Sequence, residues 1–407
     1  MIRPDNPTYR ILDAWRGIAC LMIVAYHSTI SIRSIAPELA TTIWPWMRFG
    51  YLGVPLFFVI SGYCITATAD PCRRHNQSCL LFLRRRARRL YPSYLIMIAS
   101  LTLLLLICDA IGINLFYERK VRFYSPASLS LGQWLGNLTL TETWRPQVTG
   151  ESGRLFLEVA WSLCYEAQFY GIMFLLLWTM RKRFFAGIIG VTAATLLTWI
   201  LACLGHWSNR LQGTFIEWGW LQFSCGVAVY YVINHTNDSP QGRHIRRIAW
   251  GGLLSAFPIC LILATRGGEV AGSFFINPWL SMCVCVAFAA SLLLLRPMDR
   301  KLAALNSVRM LSSIGIFSYS MYLSHYPVCK LVAVLAYRGG AWTQTRTLLF
   351  TLPACVLAST AVAYAFYQLV EKRFSNLHAP KTSPAIDKYQ PVGTEPLLGA
   401  IADGAIS

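Results

Sequence analysis

Apolar residues run along this chain in stretches of about 20, the length a helix needs to cross a bilayer. Ten such spans are predicted, at roughly 11–32, 50–69, 91–112, 158–179, 184–204, 215–233, 248–265, 274–295, 310–333 and 347–369. An even number places both termini on one side. Most of the 36 lysines and arginines fall in the connections on that side: the N-terminus, 70–90, 181–183, 234–247, 296–309 and the tail. By the positive-inside rule that side is cytoplasmic. The expected fold is therefore all-α, a polytopic integral membrane protein of about ten transmembrane helices with both termini cytoplasmic. The longest outer connection, 113–157, contains Pro126, Trp134, Trp144 and Pro146. It reads either as a lid over a site or as an ordered external loop. After Phe374 the chain turns polar and reads as a disordered cytoplasmic tail over 377–407.

Composition agrees with a membrane chain. It is 55% hydrophobic and only 13% charged, against about 25% charged in soluble domains. The net charge of +18 is distributed between apolar runs and does not collect on one soluble face, which excludes nucleic acid as the partner. Thirteen cysteines lie mostly within or beside apolar runs, where cysteine behaves as a small hydrophobe. Cys72 and Cys79 sit in a loop assigned to the reducing side, and Cys283 and Cys285 lack zinc-type partners, so no metal site is predicted. A cleaved signal peptide is the alternative for the first run. Its length, the arginine inside it and the missing A-x-A-like site argue against that.

Within the first span, Arg16 and His27 stand eleven residues apart, offset by about 20° and separated by about 16 Å along the axis. Ionisable groups inside a span are costly and mark functional sites. The second span, GYLGVPLFFVISGYCIT, has glycines for close helix approach and a mid-membrane Ser61 that either lines a cavity or bonds to its own helix. Residues 82–94, FLRRRARRLYPSY, hold Arg84, Arg85, Arg86, Arg88 and Arg89. These are topogenic charge, a phosphate grip, or both. Glu166, in VAWSLCYEAQFYG with Trp161 and Ser162, is either an ion-pair partner or a proton acceptor. The ninth span, FSYSMYLSHYPV, places Ser320, Tyr322 and His325 in an apolar run. Counted from the loops, His27, His325 and Glu166 are expected at matching depth.

Taken together, these motifs resemble membrane-bound acyltransferase family 3, the integral-membrane O-acyltransferases of bacterial surface glycans and lipids. The resemblance covers about residues 1–376. It rests on Arg16-x10-His27, GYLGVPLFFVISGY, RRARRLYPSY, WSLCYEAQFY and YSMYLSHYPV before a final Glu371. Two departures are visible: Ala167 stands where many relatives carry a second glutamate, and Glu371-Lys-Arg-Phe replaces the commoner Glu-Arg-Pro-Phe. The resemblance implies transfer of an acyl group, usually acetyl, from cytoplasmic acyl-CoA to a hydroxyl of a saccharide or lipid-linked acceptor at the bacterial inner membrane. Acyl-CoA is then a co-substrate, gripped by Arg85, Arg86, Arg88 and Arg89, with Arg16 farther in unless Asp13 ion-pairs with it. His27 serves as general base or as an acyl relay, and Glu166 orients His27 or the acceptor. Ser61, Trp161, Ser162, Tyr322 and His325 support the site. About 30 residues follow the last span, too few for a fused domain, so the enzyme is expected to be self-sufficient or to use a separate envelope partner. Acylation of a lipid or small hydrophobic metabolite is the nearest alternative. A proton-coupled transporter or flippase fits less well, given the arginine cluster and the absence of an internal repeat.

Overall fold

The computed structural model describes residues 9–112, 123–236, 239–266, 276–340 and 343–375. The predicted tail at 377–407 lies outside the described residues. Among them the chain is all helix and turn, with no strand. The helices that position the site are α1 (Leu12–Ile35), α2 (Gly53–Arg74), α3 (Cys79–Ala110), α4 (Leu131–Thr139), α5 (Trp161–Thr179) and α6 (Phe184–Leu204). They continue as α7 (Gly219–Tyr231), α8 (Pro240–Arg266), α9 (Pro278–Leu295), α10 (Asn306–Ile316), α11 (Ser318–Arg338) and α12 (Leu352–Phe366). Among the described residues, eight helical runs are long and apolar enough to cross a membrane. The chain is an all-α polytopic membrane protein.

α1 is the axis of the bundle, packed by α2, α10, α11 and α12. Without water between spans to drive association, close backbone approach takes its place, and small residues mark the contacts. A Cβ on Gly17 would stand 2.2 Å from the carbonyl oxygen of Leu311, and one on Gly315 would stand 1.8 Å from that of Asp13. The same reciprocity holds between α2 and α7, where Gly62 faces Phe223 and Gly226 faces Val59. Beside that contact, Phe169 meets Phe58 edge-on and Phe223 at a tilt, at ring separations of 5.5 and 4.7 Å. At the arginine-rich end the buried carboxylate of Asp70 receives Arg73 at 2.8 Å, Arg74 at 3.2 Å and the Tyr230 hydroxyl at 3.0 Å, tying α2 to α7.

Three expectations change. The span predicted at 215–233 becomes helical only at Gly219, because 211–217 is a turn folded back onto α5: Gln168 bonds Gly213 and Phe215, and Tyr165 donates to the buried Glu217. The span predicted at 310–333 is two helices broken at Phe317. The Glu371 carboxylate accepts from the amide of Ser320 at 3.1 Å and from its hydroxyl at 2.5 Å, capping the new helix N-terminus. The described part of 113–157 is folded down along α3 instead of projecting as an external loop, with Tyr94 donating to the Asn137 carbonyl at 2.9 Å.

Candidate active site

Two adjoining spaces lie between α1, α2, α3, α5 and α11. The larger, about 840 Å³, is a vestibule walled by Arg84, Arg85, Arg86, Arg88 and Arg89. The smaller, about 90 Å³, is an inner chamber that includes Ser61, Ser162, Glu166, Tyr170 and Tyr322 in its wall. Arg16, Arg89, Ser318 and Tyr319 border both and form the throat. Sequence order explains this geometry. The arginines precede the apolar part of α3, so its first turns carry them to one end of the bundle. The break at Phe317 turns Ser318 and Tyr319 toward them, and the Tyr319 hydroxyl donates to the Leu90 carbonyl at 2.7 Å.

Arg16 pairs with Asp13 at 2.8 Å, reaches the Cys64 sulfur at 3.2 Å, and still faces both spaces. The five loop arginines divide by burial. Arg84, Arg85, Arg88 and Arg89 are exposed to the vestibule. Arg86 is buried; it donates to the Cys64 carbonyl at 2.9 Å and to Thr68, and lies over the Tyr170 ring. Arg86 thus clasps α2 to α3 and α5.

Glu166 accepts from the Tyr170 hydroxyl and shares the chamber wall with Arg16 and Arg89. The expected matching depth of Glu166 and the histidines is therefore corrected. α5 begins inset, because Val159 and Glu158 ahead of it already meet Tyr322 and Tyr326 of α11. Glu166 consequently lands inward of Tyr322, while His27 and His325 lie outward of it. Around His27 the aromatic neighbours are Tyr26, His325 at 5.1 Å between ring centroids and Tyr326 at 4.9 Å. His325 holds the Met321 carbonyl through Nδ1 at 2.9 Å. Nδ1 of His27 and Nε2 of His325 are buried without a hydrogen-bond partner among the described residues. A buried nitrogen left so costs about 1–3 kcal/mol.

The supporting residues separate as well. Ser61, Ser162 and Tyr322 line the inner chamber, and Ser162 and Tyr322 share a 2.9 Å hydrogen bond that roofs it below the histidines. Trp161 instead packs edge-on against Tyr165 and Phe58. Sequence reasoning missed Tyr326, Glu158 and Lys330. Tyr326 donates to Glu158, and the buried Lys330 ammonium sits 3.4 Å from Glu158 and over the Phe123 and Tyr326 rings. The available signal was a lysine five residues after His325 in an apolar run, and a second carboxylate two turns before Glu166. Among the described residues no group of histidine, cysteine and carboxylate side chains could hold a metal ion.

The chain is 26% identical over 335 residues to the peptidoglycan O-acetyltransferase OatA of Listeria monocytogenes, covering 79% of this chain and 49% of that protein. It is 25% identical over 341 residues to the O-acetyltransferase OatA of Staphylococcus aureus, covering 79% of this chain and 50% of that one. The chain spans about half the length of these curated relatives. No solved structure matches it at a significant level. The family model described as an acyltransferase domain matches residues 9–368, nearly the whole bundle, and the chain belongs to that acyltransferase family, membrane-bound acyltransferase family 3.

Proposed function

We propose that this protein is a membrane O-acyltransferase that moves a short acyl group, acetyl first among them, from acyl-CoA to a hydroxyl of a cell-envelope saccharide. The observation that carries this is the throat: Arg16, Arg89, Ser318 and Tyr319 belong both to the arginine-walled vestibule and to the inner chamber. A polyanionic donor held by Arg84, Arg85, Arg88 and Arg89 would present its acyl end directly to that chamber. Arg16 and His27 share one stripe of α1, about 16 Å apart, so the pantetheine arm runs along that helix. Glu166 offsets the throat arginines and orients the donor, a role at the chamber in place of the one at His27.

At the far end, His27 accepts the proton of the acceptor hydroxyl as its oxygen attacks the thioester carbonyl. The C–O bond forms, the C–S bond breaks, and the CoA thiolate leaves and is protonated. Support for a saccharide acceptor comes from the relatives named as O-acetyltransferases, one of them acting on peptidoglycan. This reading places the arginine-rich end in the cytoplasm, where acyl-CoA is found, and the histidine end toward the outer face of a bacterial inner membrane. The test uses purified protein in liposomes with acetyl-CoA and soluble peptidoglycan fragments or exported polysaccharide. Acceptor-dependent release of free thiol, lost in a normally inserted His27→Ala protein, is expected. Thiol release that is absent with every acceptor, together with unchanged envelope glycan masses in a deletion strain, would overturn the reading.

A further inference from the structure

The segment between α3 and α5 differs from a water-facing loop in three independent respects. The first is depth. Tyr91 and Tyr94 donate to the carbonyls of Thr139 at 3.2 Å and Asn137 at 2.9 Å, at the end of α4. Both tyrosines follow closely on the arginine cluster. Ala110, where α3 ends, is sixteen residues past Tyr94, about 24 Å along the axis. The helix surface between them exposes Leu103, Leu104, Leu106 and Ile107, an apolar stretch that only hydrocarbon can cover in a membrane span. A tyrosine side chain is far too short to bridge such a difference, so the end of α4 lies deep inside the bilayer's thickness.

The second is the polarity of α4 itself. Its inward face is polar or small, with Gln133, Gly136 and Asn137 buried. Its outward face is a single i, i+4, i+7 stripe of Leu131, Leu135 and Leu138, exposed by 76%, 54% and 38%. A helix on an aqueous surface has the opposite arrangement. The third is the accounting of polar groups. Asn137 donates to the carbonyls of Gln133 and Arg154 and accepts the amide of Phe156. Gln133 donates to the Ser152 carbonyl. Glu142 accepts the Arg154 amide at 2.7 Å and pairs with Arg145 at 2.8 Å. Irregular backbone is tolerated at membrane depth only when its polar groups are satisfied within the protein, and here the segment's own side chains provide much of that.

We infer that residues 123–157 are a re-entrant membrane element whose leucine stripe rests on lipid acyl chains. The occupant of this face is bilayer hydrocarbon, because Tyr91 and Tyr94 hold α4 to α3, a helix whose own outward residues Leu103, Leu104, Leu106 and Ile107 are apolar. The inference goes beyond the acyl-transfer reading and holds whether or not that reading does. It also accounts for the inset start of α5, which follows the element directly.

The test reconstitutes the full chain, as Leu135→Cys and as Glu38→Cys, into liposomes. Glu38 is exposed on the turn just past the end of α1 and serves as the aqueous reference. A membrane-impermeant maleimide is supplied on both faces, and labelling is read at each cysteine by peptide mass spectrometry, so the native cysteines do not interfere. Leu135→Cys is expected to label at least tenfold more slowly than Glu38→Cys. A bimane attached at position 135 before reconstitution is expected to be quenched by lipids brominated on their acyl chains. Should Leu135→Cys fail to fold, Leu131→Cys, the most exposed of the three, carries the same comparison. Equal labelling rates would overturn the inference by showing water at the stripe. Slow labelling without bromine quenching would overturn it too, because protein and not lipid would then cover the face.

Discussion

The two ends of the proposed reaction path are built on opposite principles. At the arginine end the vestibule is wide, and Arg84, Arg85, Arg88 and Arg89 stand exposed around it. At the histidine end the groups are packed tightly: His325 and Lys330 are 1% and 5% exposed, and rings surround both His27 and the lysine. An exposed guanidinium acts through charge, which salt screens and neighbours can replace. A packed imidazole acts through placement, and its neighbours cannot substitute for it. The difference teaches that tolerance to substitution should fall from one end to the other.

The sharpest way to break this comparison is His27→Ala or His27→Gln. Either should reduce acyl transfer by about 10²–10⁴, the usual contribution of a positioned general base, with the affinity for acyl-CoA retained. Turnover and donor binding measured on the same preparation check it. Next in size is Arg89→Ala at the throat. Loss of a charged phosphate contact is worth about 1.5–3 kcal/mol, so the KM for acyl-CoA should rise about 10–100-fold. The exposed Arg85→Ala should cost less and show a smaller effect still in high salt, which a KM series against ionic strength would reveal.

Arg86→Ala separates clasp from grip. It removes the ties to the Cys64 carbonyl and Thr68, so the thermal midpoint in detergent should fall by several degrees while the donor KM moves less than in Arg89→Ala. Tyr326→Phe keeps the ring against His27 and loses only the hydroxyl to Glu158. A loss of turnover of about 3–10-fold, equivalent to roughly 1 kcal/mol, is expected. Trp161→Phe, a packing change outside the chamber wall, should be nearly silent in the same assay.

Much of the bundle was legible because apolar runs of membrane length announce themselves. Arg16 and Glu166 were legible as charges where charge is expensive, and the arginine cluster as a dense basic run between two spans. What could not be read was whatever depends on depth across helices. Glu166 looked level with His27 when counted from the loops. The inset start of α5 at Trp161 is set by contacts of Val159 and Glu158 with α11, more than 160 residues away in sequence, and no local pattern encodes that. The break at Phe317 was hidden likewise, since its cap comes from Glu371 on another helix. Arg86 and its four neighbours read as one basic run. Helix rotation alone decides that it turns inward to Thr68 while the others face the vestibule.

The cap at the head of α11 has a bearing on the order in which the protein is made. Ser320, which receives that cap, leaves the ribosome 51 residues before Glu371, the carboxylate that holds it. During that interval the amide and hydroxyl of Ser320 lack this acceptor, and the head of α11 is without one of the ties that set Ser318 and Tyr319 beside the arginines. The border between vestibule and chamber is therefore completed only after Glu371 is made, when α12 is inserted and the residues after it return to α11. A nascent chain halted just short of Glu371 would already contain every residue of the predicted chemistry and still lack its doorway.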